Sequence, residues 1–124
     1  MNATTKAATI VVIEDEPALL GLLRDVLEVS GFSVTGINRP ELVDSLETDD
    51  QPAVFLVDLM LPGMDGIDLA KKLREHGFAD TPMIAMSASR PMLEVAARSH
   101  LFQHTLTKPF NVSSLLDYVG RYAA

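Results

Sequence analysis

Strand-like and helix-like segments alternate along the whole chain, and this alternation leaves few folds open to it. Short segments that are apolar or contain β-branched residues predict five strands, at residues 8–13, 32–37, 53–58, 82–87 and 105–107. A segment with apolar residues at helical spacing follows each strand; the second of these begins at Pro40 and is predicted to end near Asp49 and Asp50. Five strand-then-helix units predict a doubly wound α/β fold, with a parallel sheet and helices on both faces.

Length and composition predict a single domain without a membrane-spanning segment. The chain has 124 residues, of which 48% are hydrophobic, so we expect a single domain over 1–124 with a flexible tail at 1–7. There is no cysteine, no signal-like segment at the N-terminus and no apolar stretch near the ~20 residues that a bilayer span needs. A cytoplasmic location fits these features. The net charge of -7 disfavours direct binding to nucleic acid.

Polar residues stand where four of the five predicted strands end. Glu14 and Asp15 follow the first strand, Asp58 closes the third, Ser87 closes the fourth, and Lys108 follows the fifth. Because parallel strands open their carboxyl ends on one edge of the sheet, these side chains are expected to converge there.

Such a convergence predicts a metal-assisted reaction with phosphate. Two carboxylates ~4 Å apart repel each other by about 4 kcal/mol at an effective dielectric near 20, so three of them favour a bound cation. Mg²⁺ prefers oxygen ligands and leaves coordination positions for phosphate oxygens. Lys108 would neutralise charge on a transferring phosphoryl group and Ser87 would donate a hydrogen bond, while Asp58 would attack as the nucleophile.

Four motifs in this order resemble those of the response-regulator receiver domains of two-component signalling. They are VIEDEP at 12–17, VDLMLPGMDG at 57–66, MSA at 86–88 and KPF at 108–110. The resemblance covers roughly residues 9–122. It implies a flavodoxin-like (βα)₅ fold whose five strands lie in the order 2-1-3-4-5.

The resemblance also implies a role for each matching position in the metal and acceptor site. Asp58 would be the phospho-acceptor. Asp15 would bind Mg²⁺ directly, and Glu14 would bind it through water. Asp58 and the backbone carbonyl of Met60 would complete the protein's share of the metal ligands.

Four further positions match the part of the family's site that responds to the phosphoryl group. Ser87 would turn toward that group, Lys108 would pair with it, and Pro109 would follow a cis peptide bond. Thr105 stands where the family usually has a switching tyrosine or phenylalanine. A second departure is Leu101-Phe102 at the end of the fourth helix, where the family often has Gly-Ala. These two residues could belong to the core or extend an interface.

The implied partners are those of a phosphorelay. A sensor histidine kinase or a phosphotransfer protein would donate from phosphohistidine, and a downstream effector protein or output domain would respond. The chain would catalyse only its own phosphorylation and dephosphorylation. The family's usual contact face is formed by the fourth helix, fifth strand and last helix, and a homodimer could form through it.

Other interpretations of the same residues stay open from the sequence alone. Thr105 favours a constitutive docking domain with weakened switching. A phosphatase with an aspartyl nucleophile is disfavoured because Met60, two residues after Asp58, is not an acid. Residues 14–16 could simply be an acidic helix start.

Overall fold

A five-stranded parallel sheet forms the centre of the computed structural model, which describes residues 7–49 and 51–123. The strands are β1 (Thr9–Ile13), β2 (Ser33–Ile37), β3 (Val54–Asp58), β4 (Met83–Ser87) and β5 (His104–Thr107). Their order is β2-β1-β3-β4-β5, and every neighbouring pair is parallel. The predicted fold class and strand order are therefore confirmed. The predicted tail lies outside the described residues, except for Ala7.

Within the described residues, three α-helices and one 3₁₀ helix connect the strands, and a fourth α-helix follows the last strand. They are α1 (Pro17–Val29), the 3₁₀ helix (Pro40–Ser45), α2 (Gly66–Glu75), α3 (Arg90–Arg98) and α4 (Val112–Ala123). Gly31 and Gly77 follow α1 and α2 with φ of 97° and 116°, a conformation that glycine adopts at little cost. Among the residues described, no helix is long and apolar enough to span a membrane.

The second connection is shorter than the sequence predicted. It is a 3₁₀ helix ending at Ser45, whereas an α-helix to the region of Asp49 was expected; Asp50 lies outside the described residues. The Ser45 hydroxyl donates to the carbonyl of Leu42 at 2.7 Å, and the amide of Leu46 donates to Val43 at 3.1 Å. These bonds span three residues and close a tight turn. The polar residues at 47–49 add no apolar face that could extend the helix.

Two apolar layers cover the two faces of the sheet. The 3₁₀ helix, α2 and α3 pack on one face, where Phe55, Leu69 and Phe102 belong to the core. Helices α1 and α4 pack on the other face, around residues such as Leu27 and Leu115. Because both faces are covered, all five residues of β3 are buried.

Arg74, near the end of α2, ties together the loops at the amino-terminal edge of the sheet. Its guanidinium donates to the carbonyls of Phe78, Ala79 and Thr81 at 2.6–3.1 Å, and to that of Leu101 at 2.5 Å. Burial lowers the pKa of Arg74, although the charge of Asp80 opposes this effect. Helix α2 is thereby joined to the segment that leads into β5.

The strand register sets the polar residues at the opposite, carboxyl edge. Ile13 pairs with Val57, Asp58 with Met86, and Ser87 with Thr107. The residues that close or follow these strands are therefore neighbours in space, as the sequence predicted.

Candidate functional site

Asp58 is the last residue of β3 and lies almost completely out of solvent, with 4% of its surface exposed. One carboxylate oxygen, Oδ1, accepts a hydrogen bond from the amide of Met60 at 2.9 Å. The other, Oδ2, accepts from Nζ of Lys108 at 3.1 Å. Burial of a carboxylate is costly unless it is paired, and these two donors supply the pairing.

Glu14 shares the same lysine. Its side chain is 1% exposed and accepts from Nζ of Lys108 at 2.7 Å and from the amide of Glu16 at 3.1 Å. Burial, with a smaller contribution from the nearby Asp58, raises the pKa of Glu14 to about 7, although both hydrogen bonds act in the opposite direction. The loss of water around Glu14 thus outweighs the two donors that stabilise its ionised form.

Lys108 remains charged between the two acids. Burial lowers its pKa, but the hydrogen bonds to Glu14 and Asp58, together with their negative charges, outweigh burial and raise the pKa overall. The ammonium group is the positive charge that lets two buried carboxylates lie close together.

A third carboxylate completes a group that could hold a metal ion. Glu14, Asp15 and Asp58 each offer an oxygen, and these oxygens lie within 4.8 Å of one another. Asp15 is partly exposed, so the group opens to solvent on its side. Hard carboxylate oxygens and an excess of negative charge fit a divalent cation such as Mg²⁺. The structure therefore brings together the three acidic residues that the sequence singled out.

The segment after Asp58 is a tight hairpin that places Met60 beside the acidic group. Met60–Leu61 pairs antiparallel with Met64–Asp65. The Met60 side chain is 57% exposed, and it lines a cavity of about 550 Å³ together with Asp15. Asp65 caps α2 by accepting from the amide of Ile67 at 2.7 Å.

Gly66 supports this hairpin, and its importance was missed from the sequence. Its amide donates to the carbonyl of Leu59 at 3.0 Å. A Cβ atom at this position would lie 2.5 Å from Cα of Leu59 and 2.6 Å from the carbonyl oxygen of Asp58. The glycine is therefore needed for close approach of two backbone segments. Nothing in the sequence reveals this approach.

Ser87 and Pro109 lie at the same edge of the sheet. Ser87 is 1% exposed; its hydroxyl oxygen accepts from the amide of Ser89 at 3.0 Å, and its carbonyl accepts from the amide of Lys108 at 2.9 Å. The second bond holds Lys108 next to the end of β4. The peptide bond between Lys108 and Pro109 is cis.

Thr105 lies farther back, within β5. It pairs with Ala85 and lines a cavity of about 260 Å³ together with Phe102 and Tyr118. Phe102 is only 9% exposed and belongs to the core, and Leu101 packs against that core. Of the two interpretations of Leu101-Phe102, the core is thus the one that the structure supports.

An apolar groove adjoins the acidic group and was also missed from the sequence. It has a volume of about 490 Å³ and lies between α1 and the segment after Lys108, with Leu19, Leu22, Pro109 and Phe110 among its lining residues. Leu22 is largely exposed to solvent. The sequence did not indicate a surface role for Leu22, because Leu20, Leu23 and Leu27 alone account for the apolar helical spacing of α1.

Comparison with known proteins identifies the family. The family described as "Response regulator receiver domain" matches residues 10–120. The C4-dicarboxylate transport transcriptional regulatory protein DctD of Pseudomonas aeruginosa is 32% identical over 114 residues, which cover 90% of this chain and 24% of that protein. The transcriptional regulatory protein BaeR of Escherichia coli is 37% identical over 79 residues, or 64% of this chain and 32% of that protein. The chain thus spans about a quarter to a third of these relatives.

Solved structures share the whole fold. The receiver domain of the Francisella response regulator 1452 has a TM-score of 0.82 and 26% identity, covering 94% of this chain and 96% of that chain. The Vibrio cholerae chemotaxis protein CheY4 has a TM-score of 0.84 and 19% identity, with 94% and 99% covered. TrrA of Thermotoga maritima, solved in complex with Mg²⁺ and BeF, has a TM-score of 0.81 and 22% identity, with 93% and 98% covered. From the family match and these relatives, the chain belongs to the response regulator receiver domains, the signalling modules of two-component systems.

Proposed function

We propose that this chain accepts a phosphoryl group on Asp58, in a Mg²⁺-dependent transfer from the phosphohistidine of a sensor histidine kinase or a phosphotransfer protein. The observation that carries the proposal is the convergence of the Glu14, Asp15 and Asp58 oxygens within 4.8 Å, with Lys108 bonded to two of these residues. A buried carboxylate with a cation beside it and an open acidic cluster around it is suited to nucleophilic attack on phosphorus.

The residues that would hold the metal are Glu14, Asp15 and Asp58, with the backbone carbonyl of Met60. A bound Mg²⁺ would neutralise charge on the transferring group and on the acceptor. Asp58 is held for the reaction by its two hydrogen bonds: the Met60 amide donates to Oδ1, and the Lys108 ammonium donates to Oδ2.

During transfer, an oxygen of Asp58 forms a bond to phosphorus as the bond between phosphorus and the donor's imidazole nitrogen breaks, so that an acyl phosphate results. Lys108 then exchanges its bond to Asp58 for one to a phosphoryl oxygen, and Ser87 turns its hydroxyl proton toward another. Hydrolysis of the acyl phosphate by water releases inorganic phosphate and restores the Asp58 carboxylate. In this sense the domain catalyses only its own phosphorylation and dephosphorylation.

The added charge would change how the domain contacts other proteins. A phosphoryl group brings about -1.5 to -2 charges at neutral pH and pulls donors toward itself. Movement of Lys108 and Ser87 would be transmitted along β4 and β5 to an effector protein or an output domain. The face formed by α3, β5 and α4 is the proposed contact surface, including contact with a second copy. There His104 stacks on Tyr118 with ring centroids 4.4 Å apart.

Thr105 supports a second candidate, a docking domain that binds its partner constitutively. This residue carries no ring that could swing between an inward and an outward position, so the response to phosphorylation would be weakened. Both candidates share the fold and the acidic site. They differ in whether a modification at Asp58 changes the α3–β5–α4 face.

Amide NMR spectra recorded with Mg²⁺ and beryllofluoride test both candidates, alongside mass measurement after incubation with a small phosphodonor. We expect wild type to gain one phosphoryl group and to show shifts at both the acidic site and the α3–β5–α4 face. Asp58→Asn should show neither response, and Asp68→Asn, an exposed acid on α2, should behave as wild type. Shifts confined to the site would favour constitutive docking. No response at saturating Mg²⁺ would refute the proposed acceptor chemistry.

A further inference from the structure

The described methionine side chains fall into two groups, one buried and one that reaches solvent. The structure describes five of the six methionines in the sequence. Met83 and Met86, in β4, are completely buried. The other three reach solvent: Met60 is largely exposed, and Met64 and Met92 are partly exposed. These same three line one cavity of about 550 Å³, whose wall also includes Asp15 of the acidic cluster.

The chemistry of a thioether makes this cavity a place where oxidants react. The sequence contains no cysteine that could consume an oxidant first. A methionine sulfur attacks one oxygen of a hydroperoxide; the sulfur–oxygen bond forms, the oxygen–oxygen bond breaks, and water or an alcohol leaves. The sulfur is oxidised by two electrons and the peroxide is reduced by two. Methionine sulfoxide is polar, and reductases convert it back to methionine.

Two of these side chains support the hairpin that follows Asp58. Met64 and Met92 pack against the apolar layer that contains α2 and α3. Met64 also belongs to the ladder in which Leu61 pairs with it and Met60 pairs with Asp65. A sulfoxide at Met64 or Met92 would bring a polar group against apolar neighbours, which disfavours the present packing.

The hairpin in turn holds the acceptor. The amide of Met60 donates to Asp58 at 2.9 Å, and the Met60 carbonyl is a proposed metal ligand. Loss of packing at Met64 and Met92 would therefore shift the hairpin backbone and, through it, the position of Asp58. Met60 is largely exposed and is not among the residues packed against the apolar layer that contains α2 and α3, so its oxidation alone should disturb little packing.

We propose that Met60, Met64 and Met92 form an oxidant-sensitive modification site, and that conversion of Met64 and Met92 to sulfoxides weakens Mg²⁺ binding at the neighbouring acidic cluster. The consequence for Mg²⁺ rests on the proposed function, whereas the pattern of modification does not. Hydroperoxides are the class of oxidant that the site would take.

Peptide mass mapping after treatment with hydrogen peroxide tests the modification itself. We expect Met60, Met64 and Met92 to gain oxygen at least about tenfold faster than Met83 and Met86, with Met60 first. Equal rates for the buried and the cavity-lining methionines would overturn the proposal. The proposal would also be overturned if Met64 and Met92 were not oxidised under conditions that oxidise Met60.

Calorimetric titration with Mg²⁺ tests the consequence. Peroxide-treated wild type should bind Mg²⁺ about tenfold more weakly, and methionine sulfoxide reductases should restore binding. The Met64→Leu/Met92→Leu variant keeps apolar side chains at both positions, so its Mg²⁺ affinity should stay unchanged by peroxide even though Met60 is still oxidised. An equal loss in this variant would overturn the assignment to Met64 and Met92.

Amide NMR spectra of the metal-free protein distinguish failure of this proposal from failure of the proposed function. Oxidation should shift the amide NMR signals of residues 58–66 in wild type and leave most of them unshifted in the double variant. Sulfoxides at all three positions with neither a spectral change nor an affinity change would mean surface oxidation only and would overturn the proposal. If untreated wild type binds no Mg²⁺, the proposed function fails, and the spectra still decide whether oxidation reaches Asp58.

Discussion

At the scale of single residues, the site depends on one lysine shared by two buried carboxylates. Lys108 lies 2.7 Å from Glu14 and 3.1 Å from Asp58, and its side chain is itself mostly buried. Position along the chain sufficed to predict that these residues meet, because each follows or closes a strand of one parallel sheet. The sequence did not reveal that Lys108 bonds to both acids at once, since that depends on side-chain conformation.

Removing the Lys108 charge should destabilise the metal-free protein. In Lys108→Met the two acids would face each other without a cation, and breaking a buried ion pair costs roughly 3–5 kcal/mol. We expect a loss of at least about 2 kcal/mol in the free energy of unfolding, measured with urea in the presence of EDTA, because one acid can take up a proton. Mg²⁺ should recover part of the loss. Lys71→Met, at an exposed position on α2, is the control and should change stability little.

Glu14 should make the stability of the metal-free protein depend on pH. Its pKa is about 7 in the folded protein, against 4.5 for a free glutamate. Below pH 4.5 both states hold the proton. Between pH 4.5 and 7 the unfolded chain releases it while the folded protein keeps it, so the contribution of Glu14 to stability is lost as pH rises through this window and is constant above it.

Urea unfolding in EDTA at several pH values measures this dependence. The fall should be on the order of 3 kcal/mol and should be largely absent in Glu14→Gln, which keeps the shape of the side chain but cannot ionise. A fall of the same size in the variant would assign the effect to other acids.

At the scale of elements, the sequence predicted all five strands and their neighbours but not every connection. The strands were clear because β1, β3 and β4 are buried on both faces and read as continuous apolar runs. The 3₁₀ helix was harder, because Leu42, Val43 and Leu46 fit an α-helical spacing equally well. Its end depends on the Ser45 hydroxyl bonding to a backbone carbonyl, which local composition does not determine.

The start of α2 should tolerate no side chain at Gly66. A methyl group there would meet backbone atoms of Asp58 and Leu59, which cannot rotate away as a side-chain tip could. We expect Gly66→Ala to lower the free energy of unfolding by about 1–3 kcal/mol and to weaken Mg²⁺ binding, measured by urea unfolding and calorimetry.

Gly120→Ala in α4 is the matched control, because nothing lies within 4 Å of its added Cβ. Within a helix this change should leave stability unchanged or raise it by up to about 1 kcal/mol. Equal behaviour of the two variants would show that close approach at Gly66 is not required.

At the scale of the whole molecule, the acidic site and the apolar groove lie side by side. Lys108 lines the groove between α1 and the segment after β5. We expect a protein that brings a phosphohistidine to Asp58 to contact this groove, whereas a small phosphodonor would not need it. The two kinds of donor should therefore respond differently to a change in the groove.

We expect Leu22→Asp to slow phosphoryl transfer from a partner protein by at least about tenfold, because a charge would replace an apolar contact. Transfer from a small phosphodonor should change less than twofold or so, since Leu22 does not touch the acidic group. Radiolabel transfer assays with both donors measure this difference. Val29→Asp, at an exposed position near the end of α1 and outside the groove, is the control. An equal effect on both donors would exclude a docking role for the groove.

Arg74 has a practical consequence for spectroscopy. Its guanidinium holds the backbone of Phe78 and Ala79 at the edge of the sheet farthest from Asp58. Because the sequence has no cysteine, a thiol introduced by Ala79→Cys would be unique and would carry a dye or spin label on an anchored loop. Such a probe would provide a fixed reference point against which motions of the opposite edge could be measured.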